Sequence, residues 1–232
     1  MNGQTVAVVG ARGGAGASSF AAALAREVVS RERAGRRGRG RRRRDAVLVD
    51  LATGPGLDVL LGLEHEPGPR WAELALGAAV AGEDLPAWAE VRVLARDRAL
   101  PLPGAAVRGE VVAGLARTGA TVVLDVGTSD DDAALLAGAD TVLIVTPRDV
   151  RAAAGVLRWR DELAGSHGDV RLVVRGPAPG GLGALELAHV ADLPVVATGR
   201  ADRRLDSALE HGLGPPPRGA LARLASRVAA EL

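Results

Sequence analysis

The sequence predicts a doubly wound α/β fold: a mostly parallel sheet of about seven strands with helices on both faces. Three observations predict it. Short valine-rich runs are apolar on both faces, as strands covered by two helix layers must be. Helical patterns alternate with those runs along the chain. The first strand also passes through a glycine-rich turn into an alanine-rich helix, in "VAVVGARGGAGASSFAAALA" from Val6 to Ala25.

The elements follow in order. Strands are expected at Thr5–Val9, Ala46–Asp50, Val91–Ala95, Thr121–Asp125, Thr141–Thr146, Val170–Val174 and Pro194–Ala197, each a short apolar run. Helices are expected at Gly16–Arg33, Ala105–Arg117, Asp130–Ala137, Val150–Leu163, Gly183–Val190, Asp202–His211 and Arg218–Leu232. Gly54–Pro69, rich in Gly and Pro, breaks the alternation and reads as a long, partly ordered excursion. There is no internal repeat. Residues 1–232 are therefore expected to form a single domain, with a mobile arginine-rich loop at 35–45. A chain 47% hydrophobic has enough apolar side chain for one large core.

Composition excludes several classes. With no cysteine there are no disulfides, thiolate chemistry or cysteine-ligated zinc. His65, His167, His189 and His211 are scattered without metal-ligand spacing. No apolar run reaches the roughly 18 residues of a membrane span. The first residues form a strand pattern and not a signal peptide, so a cytoplasmic location is expected. Aromatics at 2% leave little for a stacking surface on single-stranded nucleic acid. The net charge of +1 conceals one basic run, RRGRGRRRR from Arg36 to Arg44. Its expected states are a solvated loop without a partner, or contact with anionic lipid or nucleic acid.

The glycine turn permits two chemistries. Gly10, Gly14 and Gly16 match G-x-x-x-G-x-G, the phosphate turn of short-chain dehydrogenases. Those enzymes need a tyrosine–lysine pair, and this chain has no tyrosine and no lysine. The alternative is a P-loop, in which backbone N–H groups at a helix N-terminus cradle phosphate and a hydroxyl holds Mg²⁺. Arg12-Gly13-Gly14-Ala15-Gly16-Ala17-Ser18 has the spacing K-G-G-x-G-K-S/T with both lysines replaced.

That loop resembles the deviant Walker A motif of the MinD/ParA family of P-loop ATPases. The resemblance implies nucleotide contact through Gly13, Gly14, Ala15, Gly16, Ala17, Ser18 and Ser19, with ATP or ADP as ligand. It implies Mg²⁺ held by Ser18, Asp50 and Asp125. Asp50 ends a strand in "VLVDLATGPGLD", where the family usually has D-x-D, and the second aspartate is Ala52 here. Asp125, in "TVVLDVGTSDD", resembles the Walker B aspartate. Arg12 keeps a cation where the family's first lysine reaches across a homodimer, so it is the candidate trans-acting group. Family members often have asparagine near the adenine, and here the chain reads Val174-Arg175-Gly176-Pro177. "GLDVLLGLE", "RWAEL" and "VVRGPAPGGL" narrow the resemblance to the actinobacterial septum-site-determining, CpaE/TadZ-like branch. Members of that branch often carry an N-terminal receiver-like domain, and this chain begins at the ATPase-like fold.

What the resemblance implies is a localisation or regulatory protein for Tad-type pilus or secretion assembly, or for septum placement. It would dimerise when liganded and engage protein partners of such an apparatus. Losing the loop lysine removes a charge-assisted hydrogen bond of about 1.5–3 kcal/mol, or roughly 10- to 150-fold in affinity. With Ala17 and Ala52, ATP binding is expected to be weak or absent and hydrolysis slow or absent. The alternatives are an active, atypical ATPase using Arg12 and a ParA-like nonspecific DNA binder. MinD proteins end in a membrane-targeting amphipathic helix. Here Leu221, Leu224, Ala225, Val228 and Leu232 share one face, without aromatics, and docking on the sheet is the expected use.

Overall fold

The computed structural model describes residues 3–34, 45–52, 54, 56–75, 82–97, 100–127, 133–166 and 168–232. The expectations for Arg36–Arg44 fall outside these residues. One sheet organises the rest. Its strands are β1 (Thr5–Gly10), β2 (Ala46–Leu51), β3 (Ala87–Trp88), β4 (Val91–Leu94), β5 (Thr121–Val126), β6 (Thr141–Pro147), β7 (Asp169–Arg175) and β8 (Val195–Gly199). They lie in the order β3-β4-β2-β5-β1-β6-β7-β8. Every pairing is parallel except β3 with β4.

The expected sheet of about seven strands has eight. The additional one, β3, is a two-residue antiparallel edge strand, too short to show any period. The helices are α1 (Ala17–Ala34), α2 (Leu57–Leu61), α3 (Trp71–Ala75), α4 (Ala105–Arg117), α5 (Ala133–Ala137), α6 (Val150–Glu162), α7 (Ala184–Ala191), α8 (Leu205–Glu210) and α9 (Ala220–Val228). The Gly/Pro-rich excursion thus contains α2, a single short helical segment.

Side-chain alternation divides the apolar residues into two layers. On β1, Val6 and Val8 face one cluster with Phe20 and Leu24 of α1 and Leu221 and Leu224 of α9. Ala7 and Val9 face the other, with Val112 of α4, Val156 and Trp159 of α6, and Leu187 of α7. Residues of the central strands β1, β2, β5 and β6 are almost wholly buried on both faces, which accounts for their near-continuous apolar runs. The α9 stripe is used as expected. Leu221, Leu224, Ala225 and Val228 are buried, and Leu232 packs on the same cluster. No described helix is long and apolar enough to cross a membrane.

The chain runs from β1 outward to β2 and β4, returns through β5, and crosses to β6 on the other side of β1. The direction of winding therefore reverses at β1. The carboxyl ends of β1, β5 and β6 form the crevice where an open α/β sheet places its ligand.

Candidate phosphate and cation site

The loop from Ala11 to Gly16 joins β1 to α1 at that crevice. Gly14 and Gly16 have φ of +71° and +82°, left-handed values that glycine adopts without strain. Two internal bonds hold the turn: Ala11 N–H donates to the Val145 carbonyl and Ala15 N–H to the Arg12 carbonyl. Among the described residues, the N–H groups of Gly13, Gly14, Gly16, Ala17, Ser18 and Ser19 donate to no acceptor. Several of these open α1, an 18-residue helix with no acidic residue in its first turn. The loop and helix start together present unsatisfied donors and the positive end of a macrodipole.

Below the loop lie two carboxylates. Asp50 and Asp125 are register partners on the neighbouring strands β2 and β5, and both are buried. Asp50 Oδ2 accepts from Leu57 N–H at 2.8 Å, so half of that carboxylate caps α2. The Ser18 hydroxyl lies toward Asp125 and favours its ionised form. Asp50 Oδ1 and Asp125 Oδ1 are buried without a hydrogen-bond partner. Burial pushes Asp50 up to about 6, against hydrogen bonds and the nearby Arg96 charge that favour ionisation. Burial, and then the Asp50 charge, push Asp125 up to about 7, opposed by the Ser18 hydroxyl.

Two orphaned carboxylate oxygens beside a hydroxyl suit a hard, oxygen-loving cation such as Mg²⁺. Ser18, Asp50 and Asp125 are the residues that would hold it. The described residues contain no cluster of three or more His, Cys, Asp or Glu. Water and ligand oxygens would therefore complete the shell, as is usual for Mg²⁺ at phosphate sites. Such an ion would neutralise charge on the phosphate oxygens and on both aspartates.

Besides Arg12, three further residues reach the site whose roles motif spacing alone did not mark: Asp149, Arg175 and Arg96. Arg12 forms an ion pair with Asp149 at 2.7 Å, with a second guanidinium nitrogen 3.2 Å from the same oxygen. Asp149 also caps α6 through Ala152 N–H, and the Arg12 hydrogen bond holds its carboxyl below the ordinary range. The candidate trans-acting cation is thus engaged within its own chain. Arg175, the last residue of β7, donates through Nη1 to the Ala15 carbonyl at 3.3 Å. Arg96 lies after β4, half-buried, and binds the Ala52 carbonyl. The available signals were topological. Arg175 lies at the carboxyl end of a parallel strand, and Asp149 immediately precedes an expected helix.

The fold has counterparts among solved structures. A MinD cell division protein from Aquifex aeolicus superposes with a TM-score of 0.79 at 14% identity, covering 98% of this chain and 95% of that one. A ParA family ATPase from Chlorobium tepidum gives 0.77 at 13%, covering 99% and 98%. The fold is that of the MinD and ParA ATPases. A septum site-determining protein MinD from Pyrococcus horikoshii, complexed with Mg-ADP, gives 0.74 at 16%, covering 98% and 95%. At such identities the likeness concerns the MinD/ParA fold alone. No protein-family model matches the chain. In sequence it is similar to Uncharacterized protein Rv3660c and Uncharacterized protein MT3760 of Mycobacterium tuberculosis, 41% identical to each over 240 aligned positions. The alignment takes in 97% of this chain, which spans 63% of the length of those relatives.

Proposed function

We propose that this chain is a MinD/ParA-like localisation or regulatory protein whose P-loop binds ATP or ADP with Mg²⁺ weakly and turns it over slowly or not at all. The observation that carries the reading is the loop itself. Its free N–H groups stand over two buried carboxylates with orphaned oxygens, yet position 17 is alanine. The cradle and cation site favour a phosphate ligand. The missing lysine contact accounts for weak affinity. Phosphoryl transfer depends almost entirely on positioning and charge neutralisation, and Ala17 and Ala52 reduce both.

The finer assignment, to Tad-type pilus or secretion assembly or to septum placement, rests on the CpaE/TadZ-like resemblance of the sequence alone. Partners are then proteins of that apparatus, with a homodimer forming around the liganded site. Arg12 would have to leave Asp149 to act across such a dimer.

Calorimetric titration of the purified protein with ATP and Mg²⁺ tests the reading. A dissociation constant weaker than about 10 µM is expected, and Ala17→Lys should tighten it roughly 10- to 150-fold. Nanomolar binding that Ala17→Lys loosens would refute the role given to position 17. Phosphate release well above an Asp125→Ala control would instead establish an atypical ATPase.

A further inference from the structure

Arg175 and the glycine loop present donors to one another. A β-carbon at Gly16 would overlap Arg175 Nη1, so the guanidinium packs directly on the loop backbone. Of its five N–H donors, the described residues accept one, at the Ala15 carbonyl and at a long 3.3 Å. Gly16 N–H and its neighbours have no acceptor either. No described carboxylate forms an ion pair with Arg175. Asp202 and Asp206 act on it through space, while burial disfavours its charge. A half-buried fork of donors beside a cradle of donors lacks a shared acceptor. A phosphate, with several acceptor oxygens and negative charge, satisfies both sets.

We propose that Arg175 is a phosphate-binding residue of this site, supplying from β7 the cation that loop position 17 lacks. The lysine of an ordinary loop arises within the loop; this cation arrives from a strand two places away from β1 in the sheet. Gly16 serves two purposes, providing a left-handed turn and a seat for the guanidinium. The ligand class is the phosphate chain of a nucleoside di- or triphosphate. The inference rests on the nucleotide reading above.

Titration with Mg²⁺-ADP and with Mg²⁺-pyrophosphate tests it on wild type, Arg175→Ala, Arg175→Gln and Arg175→Lys, with circular dichroism confirming that each is folded. Both ligands should bind roughly 10- to 150-fold more weakly to the Ala and Gln variants. Lysine should restore part of the loss, because it returns the charge without the fork. The glutamine variant separates binding from bracing, since its amide can still reach the Ala15 carbonyl. If glutamine retains wild-type affinity, or alanine binds as tightly as wild type, Arg175 is no phosphate ligand and the nucleotide reading stands. If wild type binds neither ligand, both the nucleotide reading and the role of Arg175 fail.

Discussion

Asp50 and Asp125 are costly residues to bury, and their protonation makes the cost measurable. Unfolded, each should titrate near 3.9. Folded, burial raises them to about 6 and about 7. Between those limits the folded state holds more protons than the unfolded one, so stability falls as pH rises. The ligand-free melting temperature should therefore decrease from pH ~5 to pH ~8, and the loss should be complete once both groups are ionised. Asp125→Asn removes one of the two charges and keeps the shape. Thermal melts across this range should show a flatter profile for the variant and a higher melting temperature than wild type at the alkaline end. A wild-type profile that rises with pH would place other titrating groups in control. Cation binding has the opposite sign: it needs ionised carboxylates, so it tightens as pH passes through about 6 to 7. At this scale the sequence named Ser18, Asp50 and Asp125 as candidates, because a motif with fixed spacing names positions. It could not disclose the seating of Arg175 on the loop, since Ala15 and Arg175 lie 160 positions apart and only the fold brings them together.

Helix α6 holds the loop from behind. The Trp159 indole N–H donates to the Gly10 carbonyl at 2.9 Å, and Trp71 does the same for the Asp50 carbonyl at 2.8 Å. Two tryptophans thus fix the carboxyl ends of β1 and β2, where the loop and one carboxylate begin. Gly155 allows α6 to come this close, because a β-carbon there would overlap the Ala11 carbonyl. Helix propensity alone favours Gly155→Ala by about 1 kcal/mol. The clash is with backbone that cannot turn aside, and overpacking of this kind costs about 1–3 kcal/mol. We expect Gly155→Ala to lower stability in chemical denaturation and to weaken phosphate binding by displacing the loop; a more stable variant would show that α6 can retreat freely. Trp159→Phe should cost about 1–3 kcal/mol by leaving the Gly10 carbonyl without its donor. Element legibility followed length. The expected Val150–Leu163 helix differs from α6 by one residue, whereas α2 and β3 hold too few residues to display a period. The close approach at Gly155 had no signal at all, because a helical glycine reads the same whether or not backbone lies against it.

Over the whole molecule, arginines gather at the carboxyl edge of the sheet, among the carboxylates of Asp50, Asp125 and Asp149. Arg12, Arg96 and Arg175 surround the crevice, and a cavity of about 520 Å³ beside β8 is lined by Arg148, Arg200, Arg223 and Arg227. The charges at the crevice partly balance: Asp149 pairs with Arg12, and Asp202 and Asp206 act on Arg175. A net charge near neutral is thus compatible with an edge that attracts anions. Fold likeness to ATPases does not by itself prescribe an activity, since function resides in the site. Here the site presents free backbone donors, two buried carboxylates and a guanidinium on the loop.

Ligand linkage converts that balance into a shift of the whole folding transition. A ligand that binds only the folded state stabilises it by RT ln(1 + [L]/Kd). At about 1 mM Mg²⁺-ADP and a Kd of about 100 µM, the gain is about 1.4 kcal/mol. For a chain of this size each kcal/mol moves the melting temperature by about 2–4 °C, so a rise of about 3–6 °C is expected. Asp125→Asn should abolish most of the Mg²⁺-dependent part, because it removes an ionised oxygen from the cation site. Ala17→Lys should enlarge the rise, since a second cation then joins Arg175 at the phosphates. Differential scanning fluorimetry of the three proteins, with and without Mg²⁺-ADP, checks this ordering. If the wild type does not shift and Ala17→Lys does, the cradle is intact and alanine is what emptied it. If neither shifts, the loop does not bind nucleotide.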